Sequence, residues 1–383
     1  MADITKRRLC VLGATGSVGA AALSVARQGG VSVNCLVAGR NVELMHQLCL
    51  DFQPKRAVMG DERAAESLRA MLSDASIDID GGDEAVRNAA SNDDCCTVIA
   101  AIAGADGLPP VLEAAKHGRR ILLANKEALV VAGELLMKTA HKHNAMILPI
   151  DSEHAALYEL LAQRRHSPSK LWLTASGGAL RDMPVSQLES ATPKQVLAHP
   201  TWNMGEKITV DSATMMNKVL EVIEASILFG KTADNIGVVV HPQSVIHALV
   251  EDEDGTMTAQ MSLPDMQKPI ARMLAWPDSV STHISPTPNW NTLSSLSFYE
   301  PDEQRYPALS LAKEALSLGG AAPAALSAAN ETAVRRFLNG EIKFTDIARV
   351  NARALESCAQ EPGDTLEDLQ AADARARKMA ANE

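Results

Sequence analysis

The sequence predicts an α/β fold in three parts: an N-terminal doubly wound, Rossmann-like domain, an α+β middle domain and a C-terminal four-helix bundle. Three observations predict it. Strand-like and helix-like stretches alternate through the first 150 residues, which implies a parallel sheet covered on both faces. The middle mixes short β-branched runs with one long amphipathic helix. From position 308 on, the chain is helical in character. A chain of 383 residues also exceeds one ordinary core.

The elements follow in order. Leu9 to Leu12 is an apolar strand, and a glycine-rich turn leads into the alanine-rich helix Val18 to Gln28. Val31 to Val37, Ala57 to Met59, Thr97 to Ile102, Arg120 to Ala124 and Ala145 to Ile150 are further strands, with helices including Asn41 to Leu50 and Asp61 to Leu72 between them. Lys170 to Ala175 is the first strand of the middle domain. Gly177 to Gly205 has no core pattern, and so long a loop is a candidate lid or binding segment. Ala213 to Phe229 is an amphipathic helix. Ile236 to Val240, Val245 to Val250 and Met257 to Leu263 read as strands, paired antiparallel with their neighbours. Pro277 to Pro307, rich in Pro, Ser, Thr and Asn, reads as a surface-crossing linker. Ala308 to Leu318, Ala322 to Leu338, Phe344 to Gln360 and Thr365 to Met379 form the bundle. The expected divisions are 1–150, 151–285, a linker 286–307, and 308–383.

A formal charge of −11 and the lack of any Lys/Arg block argue against a nucleic-acid footprint. No run of 18 apolar residues or signal-peptide core is present, so neither a membrane partner nor export is expected; a bacterial-type cytoplasmic setting is. The six scattered cysteines match no zinc spacing or disulfide framework, as for reduced cytosolic thiols.

Several motifs carry chemistry. Gly13 to Gly19, spaced G-x-x-G-x-x-G between a strand and a helix, suits a pyrophosphate resting on the helix N-terminus. The plainer alternative is a glycine turn serving helix–sheet packing. The second strand ends at Gly39-Arg40-Asn41. An arginine where many enzymes carry a ribose-binding acid suits a 2′-phosphate, hence NADPH over NADH; an exposed arginine at a helix start is the alternative. Asn125-Lys126-Glu127 lies at a strand's carboxyl end, where a lysine can reach substrate oxygens.

Asp151 and Glu153 follow the strand ending at Ile150 and, in extended chain, point the same way. Paired carboxylates repel unless a cation intervenes, and Mg²⁺ or Mn²⁺ favours such oxygens. Two solvated acids before a helix capped by Asp151 or Ser152 are the alternative. Ser176-Gly177-Gly178 offers a phosphate cradle. Ser212 precedes a helix on which Asn217, Lys218 and Glu221 share a face, with Glu224 a competing third carboxylate. His199 to Gly205, with Trp202 and Met204, could close as a lid.

Gly13–Gly19, Ala124–Glu127, Asp151–His154, Ala175–Gly178, Asp211–Lys218, His241–His247 and Asn330–Glu331 together resemble the 1-deoxy-D-xylulose 5-phosphate reductoisomerase family over essentially the whole chain. The resemblance implies metal binding by Asp151, Glu153 and Glu221, which with Lys126 form the catalytic set. It implies substrate contacts from Lys126, Ser152, Glu153, Ser176, His199, Ser212, Asn217, Lys218 and Glu221, with Ser176, Ser212, Asn217 and Lys218 holding the phosphate. It implies NADPH contacts from Thr15, Gly16, Ser17, Val18, Gly39, Arg40, Asn41, Asn125, Glu127 and Gly205, and a lid at Trp202 and Met204. Expected companions are Mg²⁺ or Mn²⁺, with Co²⁺ as a substitute, the sugar phosphate 1-deoxy-D-xylulose 5-phosphate, and a second copy of the chain in a homodimer. The implied reaction rearranges the carbon skeleton and then reduces an aldehyde, giving 2-C-methyl-D-erythritol 4-phosphate. Competing classes are a cysteine-dependent aldehyde dehydrogenase, with Cys95 or Cys96 as nucleophile, and a non-catalytic NADPH sensor or scaffold.

Overall fold

The computed structural model describes residues 4–202, 204–278, 286–291, 293–358 and 361–383. The chain forms two compact units: Met1–Ala128, Leu136–Ala155 and Asp265–Pro286 make the first, and Leu129–Leu135, Ala156–Pro264 and Thr287–Glu383 the second.

In the first unit, strands β1 (Arg8–Leu12), β2 (Ser32–Ala38), β3 (Arg56–Met59), β4 (Asp78–Gly81), β5 (Thr97–Ala100), β6 (Arg120–Leu123) and β7 (Met146–Pro149) alternate with helices α1 (Ser17–Gly29), α2 (Val42–Phe52), α3 (Glu62–Met71), α4 (Asp83–Ala89), α5 (Leu108–Lys116) and α6 (Lys126–Lys142). The strands form one sheet in the order β4-β3-β2-β1-β5-β6-β7, and every pairing is parallel. This is the Rossmann-like sheet expected, with an edge strand, β4, that the sequence reading did not place. Inner strands such as β5 and β6 are wholly buried, which is why they read as continuous apolar runs. Helix α6 departs from helical geometry at Ala132, and its Leu129–Leu135 stretch belongs to the second unit.

Helix α7 (Ser152–Ala162) follows β7. The second unit then adds β8 (Lys170–Ala175), α8 (Pro193–Val196), α9 (Glu206–Thr214), α10 (Met216–Phe229), β9 (Ile236–Val240), β10 (Ile246–Glu251) and β11 (Met257–Met261). Its sheet runs β11-β10-β8-β9. β10 pairs antiparallel with β8 and β11, but β8 and β9 are parallel, which corrects the all-antiparallel expectation. The helical connection from β8 to β9 permits the parallel pair. The helix expected over Ala213 to Phe229 is two helices: Met215 takes a left-handed conformation (φ 64°) and breaks the run, so Ser212 lies inside α9 rather than ahead of a helix. The core here gathers Leu171, Leu173, Val219, Leu220 and Ile223 around α10.

Helix α11 (Gln267–Ala275) belongs to the first unit and packs on α1. Ser24 Oγ donates to Gln267 Oε1 at 2.9 Å, and Arg120 Nη2 donates to the carbonyls of Met273 and Trp276 at 2.6 Å each. Bonds from a charged donor are worth ~1.5–3 kcal/mol apiece, so Arg120 ties this returning segment to β6. Residues 279–285 and 292, within the linker-like stretch Pro277 to Pro307, lie outside the described residues, as do 359–360 at the end of the third predicted bundle helix. The bundle helices are α12 (Ser310–Leu318), α13 (Ala322–Leu338), α14 (Asp346–Ser357) and α15 (Leu366–Asn382), close to the predicted spans. Among the described residues, no helix is long and apolar enough to cross a membrane.

Candidate active site

In the first unit, β1 and β5 are sheet neighbours, and strand order runs outward in opposite directions from them. Open α/β sheets bind ligands at the carboxyl ends flanking such a switch point. The glycine turn sits there. Gly13 has φ 82°, and a Cβ on it would lie 2.5 Å from the carbonyl oxygen of Ala101, just past β5. A Cβ on Gly19 would lie 2.3 Å from the Gly13 oxygen. These two glycines therefore serve close packing, as the plainer reading held. Gly16 differs: it begins α1 without a side-chain cap, and a Cβ there would meet only the Gly13 oxygen at 3.4 Å. Its exposed face, with Ser17 beside it and Thr15 and Val18 half-buried, leaves room for a ligand on the helix N-terminus.

Gly39 has no neighbour within 4 Å of a built Cβ, so the end of β2 is open. The Arg40 side chain is 87% exposed, and its Nε lies 3.4 Å from Asp61 Oδ2. Asn41 caps α2, accepting from Leu44 N–H at 3.0 Å. Asn125 is also a cap: its Oδ1 accepts from Ala128 N–H at 2.6 Å, and its Nδ2 donates to the carbonyls of Ile102 and Gly104. It thereby braces the loop after β5. Glu127 is buried in the first turn of α6.

Lys126 and the acids meet within this unit. Lys126 Nζ lies 2.5 Å from Asp151 Oδ2. Asp151 and Glu153 bring carboxylate oxygens to within 4.8 Å of each other. The chain between them is not extended, since α7 starts at Ser152; the acids meet where the chain enters the first turn of α7, not along a strand. Ser152 N–H donates to Asp151 Oδ1 at 3.0 Å, and the Ser152 hydroxyl donates to Glu153. His154 is fully buried, its Nδ1 4.0 Å from Asp151. Hard carboxylate oxygens at this spacing suit Mg²⁺ or Mn²⁺.

In the second unit, Ser176 caps the turn after β8. Its Oγ accepts from Gly178 N–H at 3.1 Å and lies 2.9 Å from His199 Nε2. His199 Nδ1 accepts from the N–H groups of Thr201 (3.1 Å) and Trp202 (2.9 Å), so Nδ1 carries no proton and Nε2–H donates to Ser176. Burial, then the charge of Arg181, holds the imidazole below its ordinary pKa, which keeps it neutral. With two donors already on Ser176 Oγ, its hydroxyl hydrogen is left to donate to an anion. The turn is braced by Arg181 Nη1 to the Ser176 carbonyl (2.9 Å) and Tyr306 Oη to the Gly177 carbonyl (2.9 Å). Burial pushes the Tyr306 phenol up to about 12, so it stays a donor. Sequence reasoning singled out neither; only the structure brings positions 181 and 306 to this turn.

Gly178 (φ 70°) packs against α9, where a Cβ would lie 2.5 Å from Ala213 Cα and 2.7 Å from the Ser212 oxygen. The Ser176 turn and Ser212 are thus adjacent. On α10, Lys218 Nζ lies 2.5 Å from Glu221 Oε2, and Asn217 donates to Glu221 as well. Lys218 and Glu221 are buried, which excludes the routine surface pair. Glu224, a turn further on, is buried too. Trp202 and Met204 are half-buried, and Gly205 starts α9 with open space at its Cα. His241 and His247 serve structure: His241 stacks on Phe298, and His247 Nε2 lies 2.9 Å from the Ser262 hydroxyl.

Family models match three stretches of the chain. Residues 9–133 match the model for 1-deoxy-D-xylulose 5-phosphate reductoisomerase, 147–229 that for its C-terminal domain, and 261–379 that for the DXP reductoisomerase C-terminal domain. The 1-deoxy-D-xylulose 5-phosphate reductoisomerase of Ralstonia pickettii is 48% identical over 97% of this chain and 96% of its own length.

The chain belongs to the 1-deoxy-D-xylulose 5-phosphate reductoisomerase family.

The reductoisomerase of Aliivibrio salmonicida is 46% identical, with 98% of each chain covered. Among solved structures, a DOX-P reductoisomerase in complex with NADPH, fosmidomycin and magnesium superposes with a TM-score of 0.93 at 40% identity over 98% of both chains. The Zymomonas mobilis reductoisomerase in complex with NADPH gives 0.91 at 38% identity, again over 98% of both. Reductoisomerase membership leaves no place for the cysteine-dependent alternative, and Cys95 is in any case fully buried.

Proposed function

We infer that this protein is an NADPH- and divalent-metal-dependent enzyme that converts 1-deoxy-D-xylulose 5-phosphate to 2-C-methyl-D-erythritol 4-phosphate, by skeletal rearrangement followed by hydride transfer. The observation that carries this is the end-to-end match to reductoisomerases, one of them solved with NADPH and magnesium. Mg²⁺ is the expected cation, and Mn²⁺ fits the same oxygen donors.

We assign Asp151, Glu153 and Glu221 as the metal ligands. A bound divalent cation would supply Lewis acidity to the substrate's paired oxygens and make its hydroxyl easier to deprotonate. Lys126 places a fixed positive charge beside Asp151, able to stabilise negative charge growing on a substrate oxygen. Ser152 orients Glu153 through its hydroxyl. Ser176, Ser212, Asn217 and Lys218 hold the phosphate; the outward-donating Ser176 hydroxyl and the Lys218 ammonium support that reading. His199 binds substrate and organises the backbone of the lid residues Thr201 and Trp202. Gly16, Ser17 and Val18 receive the pyrophosphate, Thr15, Gly39, Asn41, Asn125, Glu127 and Gly205 shape the rest of the NADPH site, and Arg40 meets the 2′-phosphate. We also assign a homodimer and a cytoplasmic location, on family resemblance.

The test is NADPH oxidation followed with 1-deoxy-D-xylulose 5-phosphate. Turnover should stop with EDTA and return with Mg²⁺ or Mn²⁺, while NADPH binding, read by fluorescence, persists throughout. Turnover that survives chelation would remove the metal role; no turnover with metal present would remove the substrate assignment.

A further inference from the structure

Asn330 and Glu331 belong to the motif set, yet no chemistry has been attached to them. Both lie on α13, and they face different partners. Glu331 accepts from Arg377 Nη2 at 2.7 Å and ties α13 to α15. Asn330 is fully buried and starts a polar chain. Its Nδ2 donates to Asp211 Oδ1 at 2.8 Å, and its Oδ1 accepts from Asn351 Nδ2, on α14, at 3.0 Å. Asp211 is 1% exposed; its other oxygen pairs with Lys207 Nζ at 2.9 Å, one turn back on α9.

A buried carboxylate is costly, and an apolar side chain would fill the same volume with less penalty. What the arrangement does gain is a fixed position for α9. Asp211 immediately precedes Ser212. Ser212 and Ala213 form the floor under Gly178, and so under the Ser176 turn. Beyond them, Thr214 Oγ1 donates back to α9 carbonyls at 3.2 Å and accepts from Met216 N–H at 3.2 Å, bridging the break at Met215. The start of α10, with Asn217 and Lys218, is therefore locked to the end of α9. A shift of α9 would move Ser212, Asn217 and Lys218 together relative to Ser176.

We propose that Asp211, Asn330 and Asn351 are positioning residues: a buried hydrogen-bond chain from the helical bundle that sets the spacing of the phosphate-binding groups. This rests on the assignment of Ser176, Ser212, Asn217 and Lys218 to the substrate phosphate. Side-chain hydrogen bonds of this kind specify one geometry among several that apolar packing would tolerate.

The test uses the full-length enzyme. Asn351→Leu removes the far end of the chain without touching α9. It is expected to raise KM for the sugar phosphate about tenfold, as for one lost hydrogen bond in a charged network, with kcat and NADPH affinity within about twofold of the unmodified enzyme. Competitive inhibition by inorganic phosphate should weaken in parallel. A folded Asn351→Leu enzyme with unchanged KM and only a lower Tm would overturn the proposal and leave the chain a purely structural feature. Should Asn351→Leu not fold, Asn351→Ala removes the same donor to Asn330 without added bulk; the same rise in KM is expected, and its absence is equally decisive. If inorganic phosphate does not compete with substrate in the unmodified enzyme, the phosphate assignment itself fails and the proposal falls with it.

Discussion

Lys126 Nζ stands 2.5 Å from Asp151 Oδ2, and both side chains are largely withdrawn from solvent. The ammonium is therefore held where it balances an acid assigned to the metal. Lys126→Met, which keeps most of the side-chain length and none of the charge, should lower kcat by ~100-fold or more, the scale of losing one preorganised electrostatic contact. NADPH affinity, measured by fluorescence titration, should stay unchanged. A variant retaining full kcat would show that Lys126 only neutralises Asp151.

His199 gives a pH dependence with a definite sign. Its imidazole is held below the ordinary histidine range by burial first and the Arg181 charge second, and Nδ1 accepts from two backbone N–H groups. Protonation would replace that acceptor with a donor. The stabilising effect is therefore complete above the ordinary histidine pKa of ~6.5 and is lost as pH falls from there through the lowered value. KM for the sugar phosphate should climb on that acid limb. His199→Asn offers an oxygen in place of Nδ1 and does not titrate, so it should start from a higher KM, having lost the bond to Ser176, with a flatter limb. KM–pH profiles of the two proteins make the comparison.

Arg40, proposed to meet the 2′-phosphate, is expected to discriminate between the two nicotinamide cofactors. Its side chain is 87% exposed and engages Asp61 loosely, so it can turn to a ligand with little loss. Arg40→Gln should raise KM for NADPH by ~10-fold, the effect of losing a charge-assisted contact to phosphate, and leave KM for NADH nearly unchanged. Equal effects on both cofactors would place Arg40 outside the 2′-phosphate site.

Gly178→Ala tests the close approach between the Ser176 turn and α9. The residue has φ 70°, and its new methyl would lie 2.5 Å from Ala213 Cα. Strain and displacement together should cost ~2 kcal/mol or more, visible as a lower Tm, and KM for the substrate should rise as the turn lifts. An unchanged Tm would mean that the turn relaxes without resistance.

The parallel sheet was legible because its inner strands are buried on both faces and so appear as unbroken apolar runs. β4 was not: Asp78, Asp80 and Gly81 surround a lone core residue, Ile79, at the sheet's edge. The break between α9 and α10 was equally hidden, since Met215 adopts a left-handed conformation with neither glycine nor asparagine to announce it. The shared face of Asn217, Lys218 and Glu221 followed from helical spacing alone. Its burial did not, because burial depends on what packs over the helix. Asp151 and Glu153 were singled out on a strand argument, although they meet at the start of α7. Asp211 was legible only within a motif and Tyr306 not at all, because their partners Asn330 and Gly177 lie far away in sequence; Arg181 sits close to Ser176 in sequence, but nothing in that unpatterned stretch marks its bond to the Ser176 carbonyl.

The return of α11 to the first unit has a bearing on how the protein is made. Its apolar face, from Pro269 to Ala275, is buried, and Arg120 waits on carbonyls that belong to Met273 and Trp276. A ribosome delivers the seven sheet strands early, but the helix that completes their packing emerges only after the whole β8–β11 excursion has been synthesised. The nucleotide-binding half therefore spends much of translation unfinished, with one flank of α1 uncovered. Synthesis order and structural order are out of step in this chain, and the interval between them is when the nascent protein has most to gain from a chaperone.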